Sequence, residues 1–359
     1  MNAPLLQASF DEADALPFAR AVSADLLMDD CGPQLSPTPR GEVTEASFAR
    51  GVIAPIADLA LLKVHGSEAI TFLQGQLTND VAGLAENRSM LAGYCSAKGR
   101  MLASMRVWRE AEEVRLMPSR VLAAGLVRRL SMFVLRAKVR LEDASAQHGC
   151  LGLSGDQAIA MVSALGARWP GPGEVASFES LRLVGLESCL AGGASVPRAL
   201  LWCPIDEVPA LWLELTARLE PVSSVAWRWT EVRSGIGRIV GAAVERFVPQ
   251  MLNFDLVNGV SFRKGCYPGQ EIVARSHYLG KLKRRMFLSN LPGEPPPAGT
   301  DVLDARTGEP CGQIILSARD PGKGAAVLFE SQIASADSVQ LADGRRLTVQ
   351  PLPYPVPQA

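Results

Sequence analysis

The sequence has only three histidines, at positions 65, 148 and 277, so a multi-histidine metal centre has too few ligands to form. Its seven cysteines (31, 95, 150, 189, 203, 266, 311) are odd in number and never spaced C-x-x-C, which argues against a disulfide framework and a self-contained zinc or four-cysteine cluster site. No charge sign dominates. With 36 Lys+Arg against 37 Asp+Glu the chain is close to neutral, so it is not a wholesale binder of nucleic acid or membrane surface, and any anion site must be a local patch. Long apolar runs are missing too. The best, 51–64, contains Asp58 and Lys63 and is too short to span a bilayer, so no membrane partner is expected. The start carries no basic region ahead of an apolar stretch. Residues 1–50 hold eight acids against three arginines, unlike a transit peptide, and the expected compartment is the reducing cytoplasm.

What is there is a globular chain of 359 residues, 48% hydrophobic and 20% charged, long enough for two or three domains. Residues 1–50 lack periodicity and close on Pro33, Pro37 and Pro39, which predicts a loosely ordered extension. A strand at 58–64 precedes a helix with Ile70, Leu73 and Leu77 on one face, then two strands, 90–96 and 101–109, joined by a turn at Lys98-Gly99. Ser119 caps a second helix, and the alternation of Phe133, Leu135, Ala137, Val139 and Leu141 predicts a half-buried strand over 132–141. Elements interleave without a strict βαβ rhythm, so the expected class is α+β, cut into subdomains at about 51–145 and 146–285. Beyond 285, short β-rich segments separated by Pro/Gly turns predict a small antiparallel β-barrel over 286–355.

The chemistry concentrates in Phe262-Arg263-Lys264-Gly265-Cys266-Tyr267-Pro268-Gly269-Gln270-Glu271. Two glycines and a proline bracket Cys266, placing its thiol on a tight turn that a ligand can approach. Residues 270–278 form a helix in this reading, with Glu271 and Arg275 an i,i+4 pair. A helix N-terminus and basic neighbours favour the thiolate, making Cys266 the candidate reactive thiol. Between 263 and 285 stand seven basic residues and one acid, a patch suited to carboxylates or phosphates.

Lys264-Gly265-Cys266-Tyr267-Pro268-Gly269-Gln270-Glu271 resembles the K-G-C-Y-x-G-Q-E signature of the YgfZ folate-binding proteins, relatives of the glycine-cleavage T-protein. The resemblance continues through Phe247-Val248-Pro249-Gln250 and 280–285. It returns near the start in 72–80 and the Ala97-Lys98-Gly99-Arg100 turn, so about 51–355 is covered. It implies a ring of α+β domains around a folate channel, closed by a C-terminal barrel. It also implies tetrahydrofolate or a derivative as cofactor, and a role in assembling or repairing iron–sulfur enzymes, including those that thiolate tRNA. Partners would be folate and an iron–sulfur carrier or client enzyme, with no direct nucleic-acid contact. Cys266 would act as a reactive thiol or as one ligand of a transiently shared cluster, since a cluster takes about four protein ligands.

By the same resemblance Trp227 stands beside the pterin, and Gln74, Thr78 and Asp80 line the channel. Arg233 occupies the position where T-proteins carry a glutamate that reads the pterin's N–H donors, and an arginine cannot accept those bonds. Glu231 is then the substitute. T-proteins also use an aspartate in the strand after their first hairpin, whereas 97–109 contains no carboxylate. The leading reading is therefore an accessory protein, and the alternative a folate-dependent aminomethyl or one-carbon transferase of the T-protein type.

Overall fold

A computed structural model describes residues 11–278, 282–322 and 324–356. Part of the N-terminal segment (1–10) and, within the basic stretch, Gly280 and Lys281 lie outside the described residues. Three antiparallel-rich sheets dominate. The first runs Ser89–Cys95, Met101–Glu110, Glu113–Pro118, Leu62–His65, Arg140–Asp143 in spatial order. Its second strand is buried from Met101 to Trp108 without alternation, because one face packs on the core and the other on neighbouring domains. The second sheet runs Val175–Phe178, Leu181–Ala191, Ala194–Pro204, His148–Ser154, Val52–Pro55, Glu220–Pro221, with only the last pair parallel. The third, built from six strands between Arg284 and Gln350, curls around a small core of Ile314, Val327 and Phe329.

Three expectations need correction. Residues 11–50 are not a loose extension. Leu16–Ala21 forms a helix whose Phe18 joins the core under the second sheet, and Ala24–Asp29 pairs with Gly32–Pro37 in a hairpin. Leu35 donates its N–H to Ser224 Oγ (2.8 Å), and Phe48 is fully buried against Trp229. The acidic residues face outward while a few widely spaced apolar ones dock, a pattern too sparse to register as periodicity. A linear cut at 145 also fails, because Val52–Pro55 crosses over to pair with His148–Ser154.

The strand expected over 132–141 is present only as Arg140–Asp143. Leu135 adopts φ 47° and is 88% exposed, so its backbone cannot continue an extended strand whatever its neighbours' alternation. The helix Gln270–Tyr278 and the two strands flanking Lys98-Gly99 form as read. No helix among the described residues is long and apolar enough to cross a membrane.

Candidate functional site

The Cys266 loop is held from three sides. Lys264 Nζ donates to the carbonyls of Gln74, Leu77 (2.6 Å) and Asn79 (3.1 Å), satisfying acceptors left open where the helix Ala69–Gln74 ends. Its ammonium also lies 5.3 Å from the Tyr267 ring centre, and burial of that phenol pushes its pKa up. Gly269, at φ 80°, packs directly on the Lys98-Gly99 hairpin. A Cβ there would sit 2.4 Å from the Ser96 carbonyl oxygen and 2.5 Å from Gly99 Cα, so only glycine fits. Gln250 Nε2 donates to the Val273 carbonyl (2.7 Å), tying down the following helix. Cys266 is left exposed at the crest, and the other six cysteines are buried free thiols. Gln270 is partly buried, while Glu271 and Arg275 are exposed and form no ion pair among the described residues.

A second feature lies where the first two sheets meet the helix Ser224–Arg233. It is a central cavity of about 90 Å³ walled by Leu91, Ser104, Met105, Leu186 and Phe254 among others, with Arg106, Glu187, Arg198, Glu231 and Arg238 supplying charge. Arg106 donates to Glu187 and to Ser89 Oγ (3.3 Å); Arg198 donates to Thr230 Oγ1 (2.9 Å) and twice to the Glu187 carbonyl (3.0 and 2.7 Å). Burial alone would raise the Glu187 carboxyl, but Arg106 brings it below the usual range. Arg238 Nη2 binds Asp58 Oδ2 at 2.5 Å and lies 3.2 Å from Glu231 Oε2, yet that oxygen accepts no hydrogen bond. Burial raises the Glu231 carboxyl, against the pull of Arg238. Glu231 thus stands on the cavity wall, with its Oε2 buried beside Arg238. The wall contains no carboxylate from the strand Met101–Glu110; that strand contributes Ser104, Met105 and Arg106.

No protein-family model matches the chain. Curated relatives do. The chain is 31% identical over 306 residues to the tRNA-modifying protein YgfZ of Edwardsiella ictaluri, covering 83% of this chain and 90% of that protein. The chain belongs to the YgfZ family. A second YgfZ, from Colwellia psychrerythraea, is 30% identical over 264 residues, 74% of this chain and 79% of its own. Among solved structures, the glycine cleavage system aminomethyltransferase T of Bartonella henselae superposes with a TM-score of 0.76 at 18% identity, covering 95% of this chain and 96% of that one, which fixes the fold as GcvT-like.

Within this YgfZ chain the structure separates residues that the sequence grouped. Of the expected ligand contacts only Glu231 lines the cavity. Trp227 is 1% exposed in the core, its ring under Gly152 and 5.7 Å from the Arg198 guanidinium carbon, and it does not reach the cavity wall. Gln74 and Asp80 bond each other (2.9 Å) and nearby backbone N–H groups; Thr78 accepts from Gly93 N–H and donates to the Gly259 carbonyl, both at 2.7 Å. These three brace the helix end on which the Cys266 loop rests and contribute nothing to the cavity wall. Arg233 turns away, donating Nε–H to the Leu190 carbonyl (3.1 Å) with its guanidinium carbon 5.9 Å from the Trp229 ring centre. Two residues apart on one helix, Glu231 and Arg233 point to opposite sides, so the glutamate takes the inward face. Sequence reasoning missed Arg106, Glu187, Arg198 and Arg238. The available signal was a lone arginine inside an apolar strand, as in Ala103-Ser104-Met105-Arg106-Val107-Trp108 and Val196-Pro197-Arg198-Ala199-Leu200-Leu201.

Lys264 yields the first prediction. Replacing it by Met removes three donors from helix-end carbonyls and should cost about 2 kcal/mol in urea unfolding, with faster amide exchange over 263–269. Burial lowers the ammonium pKa from 10.5 to about 8, so the unfolded chain holds more protons between those values. Wild-type stability should therefore rise relative to Lys264→Met as pH climbs through that window. A difference independent of pH would show that the ammonium is not desolvated.

Proposed function

We propose that this YgfZ protein binds tetrahydrofolate or a derivative in its central cavity and serves as an accessory factor for iron–sulfur enzymes that modify tRNA. The observation that carries the folate reading is the Glu231 side chain, a carboxyl group on the wall of a largely apolar chamber. A reduced pterin offers adjacent N–H donors on a flat body, which is what such an acceptor and such walls accommodate. Glu231 would orient the pterin, Arg238 would hold Glu231 in place, and Leu186 and Phe254 would exclude water. The relatives' name, tRNA-modifying protein, supports the link to tRNA modification.

Cys266 takes part as a reactive thiol or as one transient ligand to an iron–sulfur cluster passing between a carrier and a client enzyme. In this reading the cluster is shared: Cys266 supplies a single ligand of about four, and the metal-type grouping among the described residues, Asp29, Asp30 and Cys31, lies elsewhere. The strand Met101–Glu110 places no carboxylate on the cavity wall, so the T-protein's proton acceptor is missing there, which favours the accessory reading over one-carbon transfer.

Titration with tetrahydrofolate tests the site. Glu231→Gln should weaken binding roughly 10- to 100-fold, the scale of a charge-assisted hydrogen bond in a dry site. In cells, Cys266→Ser should lower the activity of tRNA-thiolating iron–sulfur enzymes and leave glycine cleavage intact. Unchanged affinity in Glu231→Gln would move the ligand elsewhere. Folate-dependent release of ammonia or formaldehyde by the purified protein would establish the transferase reading instead.

A further inference from the structure

The turn that follows the helix Ala123–Ser131 carries three apolar side chains, Met132, Phe133 and Leu135, all exposed to solvent. Arg128, Arg136, Lys138 and Arg140 flank them in the chain, also exposed and in no salt bridge among the described residues. No acid occurs between Glu113 and Glu142. We infer that this face, 128–140, docks the tRNA-modifying iron–sulfur enzyme that the protein serves, by entering an apolar recess edged by carboxylates on that partner. The inference rests on the accessory reading above and gives it a place of contact.

The turn holds these side chains in place. Phe133 N–H binds the Leu130 carbonyl (3.0 Å), Val134 N–H the Ser131 carbonyl (3.2 Å) and Ala137 N–H the Val134 carbonyl (2.8 Å). Val134 and Ala137 pack on the core between the exposed residues. Leu135 keeps φ 47°, a costly backbone for a bulky residue, with its side chain standing in solvent. An apolar cluster fixed in this way loses little freedom on docking. Its position relative to Cys266 is the second argument. Lys138 N–H binds Glu68 Oε2 (2.7 Å) and its carbonyl accepts from Glu68 N–H (3.4 Å), at the start of the helix Ala69–Gln74. Lys264, two residues before Cys266, caps the other end of that helix. Six helical residues span about 9 Å, so a standard protein interface, about 800 Å² a side, can cover the face and reach the thiol loop. Residue types choose the partner's class. Three of the four cations are arginines, which grip carboxylates bidentately, and Phe, Met and Arg are enriched where proteins meet. A lipid surface has no use for arginine over lysine, and single-stranded RNA asks for more than the one aromatic ring of Phe133.

The test compares two double variants of the full chain, Phe133→Asp with Leu135→Asp and Arg136→Glu with Arg140→Glu, with the wild type and Cys266→Ser. Each is titrated with a purified tRNA-thiolating iron–sulfur enzyme, and thiolated nucleosides are measured in tRNA from cells carrying it as the sole copy. Both double variants should bind the enzyme about 30-fold more weakly, the scale of an interface hot spot, and lower thiolation to the level of Cys266→Ser. High salt should weaken binding by the wild type. Urea midpoint and tetrahydrofolate affinity should stay at wild-type values, because the four side chains are exposed, none lines the central cavity, and aspartate tolerates the positive φ at 135. Normal enzyme binding and thiolation in both double variants, with thiolation low in Cys266→Ser, overturns the inference and leaves the accessory reading standing. Normal thiolation in Cys266→Ser and in cells lacking the protein overturns both. Loss of binding to bare tRNA or to phosphatidylglycerol vesicles, with enzyme binding unchanged, gives the face to another macromolecule and also overturns the inference.

Discussion

A thiol-alkylating probe added to the native protein should modify one cysteine of seven, and that one should be Cys266. The other six are buried, and access to them requires the surrounding core to open. Opening that costs about 4 kcal/mol slows labelling about 1,000-fold. A second barrier acts in the same direction. Burial pushes the Cys95 and Cys203 thiols up to about 12 and raises those of Cys31, Cys150, Cys189 and Cys311, so the reactive thiolate is scarce for as long as the core stays closed. Mass spectrometry of a time course at neutral pH should show a single adduct on the peptide spanning Cys266, with the other six appearing together only in denaturant. Modification of Cys311 or Cys31 before Cys266 would contradict the loop geometry and remove the basis for a thiol role. A folate-loaded sample should label Cys266 at the same rate, because no residue of 263–275 lines the central cavity.

The largest loss of stability among single polar substitutions should come from Asp58→Asn. Asp58 is almost completely buried. Its Oδ2 lies 2.5 Å from Arg238 and 3.9 Å from Arg228, while its backbone carbonyl accepts from Arg120 N–H (2.8 Å) and Arg238 Nη1 (3.1 Å). Arg228 is shared with Asp29 (2.8 Å) at the tip of the N-terminal hairpin, and Arg238 with Glu231. Removing the central negative charge leaves two buried guanidinium groups dependent on one flanking carboxylate each. Breaking a buried pair in this way costs about 3–5 kcal/mol, far more than a surface pair returns. The exposed pair Asp343–Arg345 is the control: Asp343→Asn should leave the urea midpoint nearly unchanged. Urea midpoints with unchanged slopes would make the comparison direct, and a cost below about 1 kcal/mol for Asp58→Asn would show the cluster to be hydrated.

The eight-residue signature around Cys266 was legible from sequence because its constraints are local. A glycine that must adopt φ 80° against a neighbouring hairpin, and a lysine that caps a helix end, leave residue identities with few alternatives. The small C-terminal sheet was legible for a related reason: turn residues recur at short intervals between β-rich segments. Local readings failed where burial was decided by distant partners. Residues 11–50 looked unstructured because Phe18, Leu35 and Phe48 are too far apart to form a pattern, and each is buried by a segment more than a hundred residues away. The apolar residues at 133 and 135 looked like a strand face, yet Phe133 is 45% and Leu135 88% exposed among the described residues. The central cavity was the least visible of all. Its arginines and glutamates come from two sheets, a helix and the loop after it, with no fixed spacing in the chain. Only the closing of the domains on one another put Glu231, and neither Trp227 nor Arg233, at its wall, because a helix turns successive side chains by about 100° and one face alone can look inward.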